Sequence, residues 1–287
     1  MTVVTIAVGE AELCAETFGR QGDPALLLIS GATSSMDYWD PEFCRRLADA
    51  GRFVVRYDHR DTGQSTSSPA GQPGYSGDDL SKDAVHVLDG LGVPAAHLAG
   101  VSMGGGIAQD LAVSHPERVL SLTLIATTAA FERADTTTLP PPERRVVDTF
   151  SQAAPDVDWS DQAAVVEANV EALRPYAGSL GFDEEHVRAV SRIVVRRTRD
   201  MAASVANHWL VVGSGGESGH TMADIDVATL VLHGTDDPLF PLPHGEALAA
   251  EIRGATLLPL PGMGHEVPPR SMWDVVVPAV VEHTAGH

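Results

Sequence analysis

Short apolar runs alternate along this chain with longer stretches whose apolar residues recur every three or four positions. Val3–Val8 and Leu13–Phe18 predict an opening antiparallel pair, separated by the turn residues Gly9 and Glu10. Ala25–Ile29 follows Gly22-Asp23-Pro24 and is continuously apolar, as expected of a strand buried on both faces. Phe43–Ala50 has helical spacing, and Phe53–Tyr57 forms the next strand after the stop at Gly51. In Asp79–Leu91 the apolar residues Leu80, Ala84, Val87, Leu88 and Leu91 share a helical face that ends at Gly92. Strand His97–Val101, helix Met103–Ser114 and strand Leu120–Ala126 follow. This alternation predicts an α/β fold with a mostly parallel central sheet flanked by helices.

The series breaks after Ala126. Phe131–Pro142 holds charges, a threonine run and the prolines Pro140, Pro141 and Pro142. Helical patterns then cover Glu143–Ala153, Gln162–Leu173, Glu184–Arg199 and Met201–Val212, and the glycine-rich Gly213–Gly219 closes the region. Strand Thr229–Leu232, helix His244–Ile252, strand Ala255–Leu260 and helix Trp273–Thr284 resume the earlier rhythm. Residues 1–126 and 225–287 are therefore expected to form one core, with 127–224 as a helical cap inserted in it.

Composition narrows the range of partners. Of 287 residues 44% are apolar, enough for a sizeable core without disulfides or metal. The net charge is −20, and Lys82 is the only lysine. Such a field repels phosphate backbones and anionic lipid, so neither nucleic acid nor a membrane surface is an expected partner. No apolar run approaches the roughly 20 residues of a membrane span. The start, Met1-Thr2-Val3-Val4-Thr5-Ile6, lacks the basic head and cleavage site of a signal peptide. Cys14 and Cys44 lie in no motif, which suits small core residues in a reducing, cytoplasmic setting.

Chemistry concentrates where strands end. Gly100-Val101-Ser102-Met103-Gly104 is a G-x-S-x-G pentapeptide between a buried strand and a helix. A serine on that sharp turn takes a strained backbone, and its neighbours two before and two after come too close for a Cβ. Ser102 is thus the candidate nucleophile. Gly216-Glu217-Ser218-Gly219 lacks the spacing and the preceding strand, and reads as linker.

A serine nucleophile needs a base held by a carboxylate. Of twelve histidines, His265 stands in a glycine-rich loop directly after the last expected strand, within Pro261-Gly262-Met263-Gly264-His265-Glu266. The others fall mostly on helix faces or ends, where solvated or capping roles are expected. Glu266 is expected to face the surface. Two carboxylates follow strand Thr229–Leu232, in His233-Gly234-Thr235-Asp236-Asp237-Pro238. Asp237 precedes Pro238 and stands four residues before Pro241, a spacing that turns the chain back toward the histidine loop. It is preferred over Asp236, which then braces the loop.

Acyl transfer also needs two donors for the developing oxyanion. The N–H of Met103, next after the nucleophile, is one. The other should come from Ser30-Gly31-Ala32-Thr33-Ser34-Ser35; Ala32 is the choice and Thr33 the runner-up. Asp58, His59 and Asp61 cluster after Phe53–Tyr57 in a spacing that suits no defined metal ligand set, so they read as a polar brace. Gly100–Gly106 lacks the lysine of a P-loop and the acidic partner of a dinucleotide site. No cofactor or metal is called for. Phe131, Phe150, Trp159, Tyr176, Phe182 and Trp209 are expected to pack a small core of the insertion, some lining an apolar pocket above Ser102.

With these residues placed, the chain resembles the α/β-hydrolase fold family over essentially its whole length. The carriers are Ser30-Gly31-Ala32, Arg56–Ser65, Gly100–Gly106, Gly234–Pro241 and Gly262-Met263-Gly264-His265. More narrowly, Tyr57–Gly63, Val101–Gly104, Pro243-His244-Gly245 and Pro261–His265 are similar to segments of the aclacinomycin methylesterases of anthracycline-producing actinomycetes. The resemblance implies hydrolysis of a carboxylic ester, such as a methyl ester of a hydrophobic polyketide-like molecule, with Ser102, Asp237 and His265 as triad. The insertion departs from the methylesterase pattern. The same fold also carries cofactor-free lyases, C–C hydrolases, lactonases and perhydrolases, and a non-catalytic binding protein would keep the fold without the triad.

Overall fold

The computed structural model describes residues 1–151, 157–212 and 219–286. Gly216-Glu217-Ser218, the expected linker, lies outside the described residues. Strands β1 (Thr2–Val8) and β2 (Ala11–Phe18) form the antiparallel opening pair. Then come β3 (Ala25–Ile29), α1 (Pro41–Asp49), β4 (Phe53–Tyr57), α2 (Gly77–Gly90), β5 (Ala96–Val101), α3 (Met103–Ser114) and β6 (Val119–Ile125). Helices α4 (Arg144–Ser151), α5 (Gln162–Leu173), α6 (Glu184–Arg197), α7 (Met201–Ala206) and α8 (His208–Val211) lie between β6 and β7 (Thr229–Gly234). The chain ends through α9 (Pro243–Glu251), β8 (Thr256–Leu260) and α10 (Trp273–His283).

The strands make one eight-stranded sheet in the order β1-β2-β4-β3-β5-β6-β7-β8. β2 pairs with β4 antiparallel, and every pair from β4 to β8 is parallel. The continuously apolar runs are the ones buried on both faces: every residue of β3, β4 and β5 is buried. Alternation along a strand sorts its side chains between two cores. Leu27 and Ile29 pack on one face with α2, α3 and α9, whereas Leu26 and Leu28 pack on the other with α1 and α10.

Helix starts follow local chemistry. Asp40, with Pro41 in the first turn, caps α1, and Ser76 with Asp79 forms a capping box on α2. Asp161, Asp183 and Asp200 cap α5, α6 and α7. Part of the acidic excess is therefore spent on helix N-termini.

One expected helix is two. The stretch Met201–Val212 breaks between α7 and α8 at Asn207, whose side chain turns into the core loops instead of continuing a solvated face. The aromatic residues also differ from expectation. A valine cluster of Val165, Val166, Val170, Val194 and Val195 with Met201 forms the small core of these helices, and only Phe182 of the six aromatics packs on it. Phe131 packs on the main core, and Phe150, Trp159 and Trp209 are exposed. Cys14 and Cys44 are buried free thiols, and no described helix is long and apolar enough to cross a membrane.

Polar contacts join α6–α8 to the loop after β4. Arg197 bridges Asp37 and Asp58, the latter at 2.8 Å, and Arg199 N–H donates to Gly63 O at 3.0 Å. Asp58 is buried, and burial raises its carboxyl above the usual range against the pull of Arg197. Arg197→Leu would strand two buried carboxylates and is expected to lower stability by about 3 kcal/mol in urea unfolding. Arg20→Leu, which breaks an exposed pair with Asp23, should leave the midpoint unchanged; equal effects would refute the assignment.

Candidate active site

Ser102 sits on the turn between β5 and α3 with φ 53° and ψ −118°, a conformation costing on the order of 1–3 kcal/mol. Surrounding bonds hold it. Its N–H donates to Ile125 O at 3.0 Å, and its carbonyl accepts from Thr127 Oγ1 at 2.8 Å and from the amides of Gly105 and Gly106. A Cβ on Gly100 would overlap the Gly104 carbonyl, and one on Gly104 would overlap the carbonyl of Ile29. The backbone of the turn thus presses directly on the end of β3, as the pentapeptide requires.

Asp237 and His265 come together. Asp237 leaves β7 with a buried carboxylate whose Oδ1 accepts from Leu239 N at 2.9 Å and Phe240 N at 2.8 Å. Its Oδ2 accepts from His265 Nδ1 at 2.9 Å. The proton therefore sits on Nδ1, leaving Nε2 with a free lone pair. His265 N–H donates to Tyr176 O at 2.9 Å, and the rings of Tyr176 and Phe240 flank the imidazole. Asp236 points elsewhere: it accepts from Ser179 N at 3.3 Å and Thr235 Oγ1 at 2.8 Å, and these bonds lower its carboxyl pKa. The Ser102 hydroxyl and His265 are not hydrogen-bonded to each other. Such contacts are commonly loose before substrate binds.

The two loop amides weighed as oxyanion donors are also distinguished. Thr33 has φ 62°, and its N–H donates to His208 Nδ1 at 2.8 Å. The N–H groups of Ala32 and Met103 donate to no described residue. Gly31 lies against the Ser102 Cβ, so the Ala32 loop and the nucleophile turn are in contact.

Several neighbours were not foreseen. His59, His97, His208, His233 and His244 are buried hydrogen-bonding residues, not solvated or capping ones. His59 Nε2–H donates to Ser30 O at 3.0 Å, and burial holds its pKa at about 3. His233 Nε2–H donates to Phe240 O at 2.7 Å, and burial likewise keeps this ring neutral. His244 joins Thr128 Oγ1 at 2.7 Å to Pro140 O at 3.0 Å. Asn207 donates to Asp61 Oδ2 at 2.8 Å and accepts from Gly71 N at 2.7 Å, while Tyr75 OH also donates to Asp61 at 2.7 Å. Asp58, His59 and Asp61 are thus spent as acceptors and donors within the loop network. No local signal marks Asn207-His208 in a stretch that reads as helix.

Residues 24–268 match the alpha/beta hydrolase fold family. The chain belongs to that family. It is 32% identical to rhodomycin D methylesterase DnrP of Streptomyces peucetius, over 96% of this chain and 95% of that one. With rhodomycin D methylesterase DauP of Streptomyces sp. (strain C5) it shares 33% identity over 97% of each. A crystal structure of a hydrolase from Pseudomonas aeruginosa PA01 superposes with a TM-score of 0.70 at 26% identity, covering 99% of this chain and 98% of the other. The expected fold and the resemblance to actinomycete methylesterases both hold.

Glu266 corrects the expectation of a surface carboxylate. It is half-buried, and burial pushes its carboxyl up to about 7. A carboxyl that binds its proton more tightly folded than unfolded loses stability as pH rises from about 4.5 to 7. Glu266→Gln should therefore stabilise the protein at pH 8, by on the order of 2 kcal/mol, and change little at pH 4. Thermal midpoints at the two pH values check this, and a gain confined to pH 4 would refute it.

Proposed function

We propose that this serine hydrolase cleaves a carboxylic ester through an acyl-enzyme formed on Ser102. The observation that carries the reading is the 2.9 Å bond between Asp237 and His265, on loops that leave the same edge of the parallel sheet as a strained serine turn. His265 Nε2 takes the Ser102 proton as Oγ attacks the ester carbonyl. Asp237 holds the imidazole in the Nδ1–H tautomer and faces the positive charge that forms. The Ala32 and Met103 amides receive the oxyanion at the start of α3, where unpaired N–H groups already point outward. The alcohol leaves with the proton from His265. Water, activated by the same imidazole, then releases the acid.

The substrate is an apolar small molecule. Phe240 and Tyr176 flank His265, and Phe150 and Trp209, 53% and 49% exposed, meet edge to face on α4 and α8. Residues 127–224 are read as the cap that selects the substrate, by analogy with insertions that line ligand sites in such folds. The methylesterase relatives support a methyl ester as the scissile group. Two buried free thiols support a cytoplasmic setting, and the net charge of −20 disfavours nucleic acid.

Hydrolysis of p-nitrophenyl esters and of hydrophobic methyl esters, together with fluorophosphonate labelling, tests the reading. Wild type should turn over and be labelled at Ser102, and Ser102→Ala should do neither; an inactive, unlabelled wild type overturns it. Asp237→Asn should lower kcat by about 10³-fold or more, since the wrong imidazole tautomer results. Asp236→Asn should stay within about threefold, because its bonds brace a surface loop. The reverse ranking would move the acid to Asp236.

A further inference from the structure

The loop that presents Ala32 is held from both sides by a neutral histidine. On one side His59 Nε2–H binds the Ser30 carbonyl at 3.0 Å. On the other, His208 of α8 accepts the Thr33 N–H on Nδ1 at 2.8 Å and donates from Nε2 to Arg60 O at 2.8 Å. Both rings are fully buried, and burial lowers the pKa of each, so the lone pair on His208 Nδ1 is kept available. Their rings meet edge to face at 5.8 Å. The Arg60 end is itself anchored, because its guanidinium binds both Asp83 oxygens at 2.7 and 2.8 Å. Thr33 is left-handed at φ 62°, a conformation a threonine holds only under external constraint.

We propose that His208 is a positioning residue for the oxyanion hole: its Nδ1 draws the Thr33 N–H away from the site and so aims the preceding Ala32 N–H at the oxyanion. This rests on the hydrolase reading above. The Thr33 N–H lies on the peptide plane that joins it to Ala32, so its bond to His208 fixes that plane and leaves the Ala32 N–H as the unengaged donor of the two. A residue of the inserted helices thereby contributes to stabilising the transition state without touching substrate. A displacement of the donor by about 1 Å is enough to cost up to 10²-fold in rate.

The two ends of the ring can be separated. Asparagine places its Oδ1 where His208 has Nδ1, and keeps the Thr33 bond while losing Arg60. Glutamine places its amide where His208 has Nε2, and keeps Arg60 while losing Thr33. We would measure kcat and KM of both variants, in the full chain, with p-nitrophenyl butyrate, and their affinity for an aryl trifluoromethyl ketone that forms a reversible tetrahedral adduct. Fluorophosphonate titration counts intact sites, so partial unfolding does not enter kcat. His208→Asn should stay within about threefold of wild type. His208→Gln should lose about tenfold or more in kcat and a similar factor in ketone affinity, with KM within about threefold. Equal effects from the two variants, or a Gln variant with wild-type kcat or altered only in KM, would overturn the proposal and assign His208 to tethering alone. A wild type that the fluorophosphonate fails to label overturns the hydrolase reading, and the proposal with it.

Discussion

A close backbone approach between α3 and β3 sets the geometry of the nucleophile turn. The first turn of α3 lies so near the end of β3 that Gly104 has no room for a Cβ beside the Ile29 carbonyl. That contact forces the sharp exit from β5 and with it the positive φ of Ser102. It also brings Met103 N–H and the loop holding Ala32 to one spot. Two parallel neighbours, β3 and β5, end at the same level because their register pairs Ile29 with Gly100. The strain at the serine is opposed by bonds from Ile125, Thr127, Gly105 and Gly106.

Acidic residues dominate this chain, yet those near the site are not free charges. Asp237 has its acceptor positions filled by two amides and an imidazole. Asp58 takes two amides and Arg197, and Asp61 takes Asn207 and Tyr75. Each carboxylate therefore serves as a multivalent acceptor that freezes a loop at the carboxyl edge of the sheet. Much of the remaining negative charge caps helices or lies on the surface, where water screens it.

The helices between β6 and β7 keep a valine cluster of their own, apart from the two cores of the sheet. Besides the apolar contacts of Val211 with the main core and of Tyr38 with the valine cluster, polar side chains tie them to the loops after β3 and β4: Arg197 on Asp37 and Asp58, Asn207 on Asp61, and His208 on Thr33 and Arg60. Polar contacts are directional where apolar ones are not, so they define a position and not merely an association. The orientation of these helices against the loops after β3 and β4 is consequently set by a handful of hydrogen bonds.

The sheet was legible to within one or two residues at its strand ends, because buried parallel strands run apolar and the connecting helices repeat near 3.6. Ser102, Asp237 and His265 were legible as candidates for a related reason: loops that follow such strands emerge at one edge, so chain order carries spatial information. Asp237 over Asp236 rested on turn spacing, and the fold adds the partner, placing one carboxylate on the imidazole and the other on Ser179. What the linear pattern does not contain is contact between segments far apart. The break at Asn207, the burial of Glu266 and the histidines holding Ser30 and Thr33 all depend on partners 29 to 175 residues away or on the bulk of unrelated loops. Local periodicity is a property of one segment against an average interior, whereas a buried polar side chain is defined by the single partner that satisfies it, and only the tertiary structure supplies that partner.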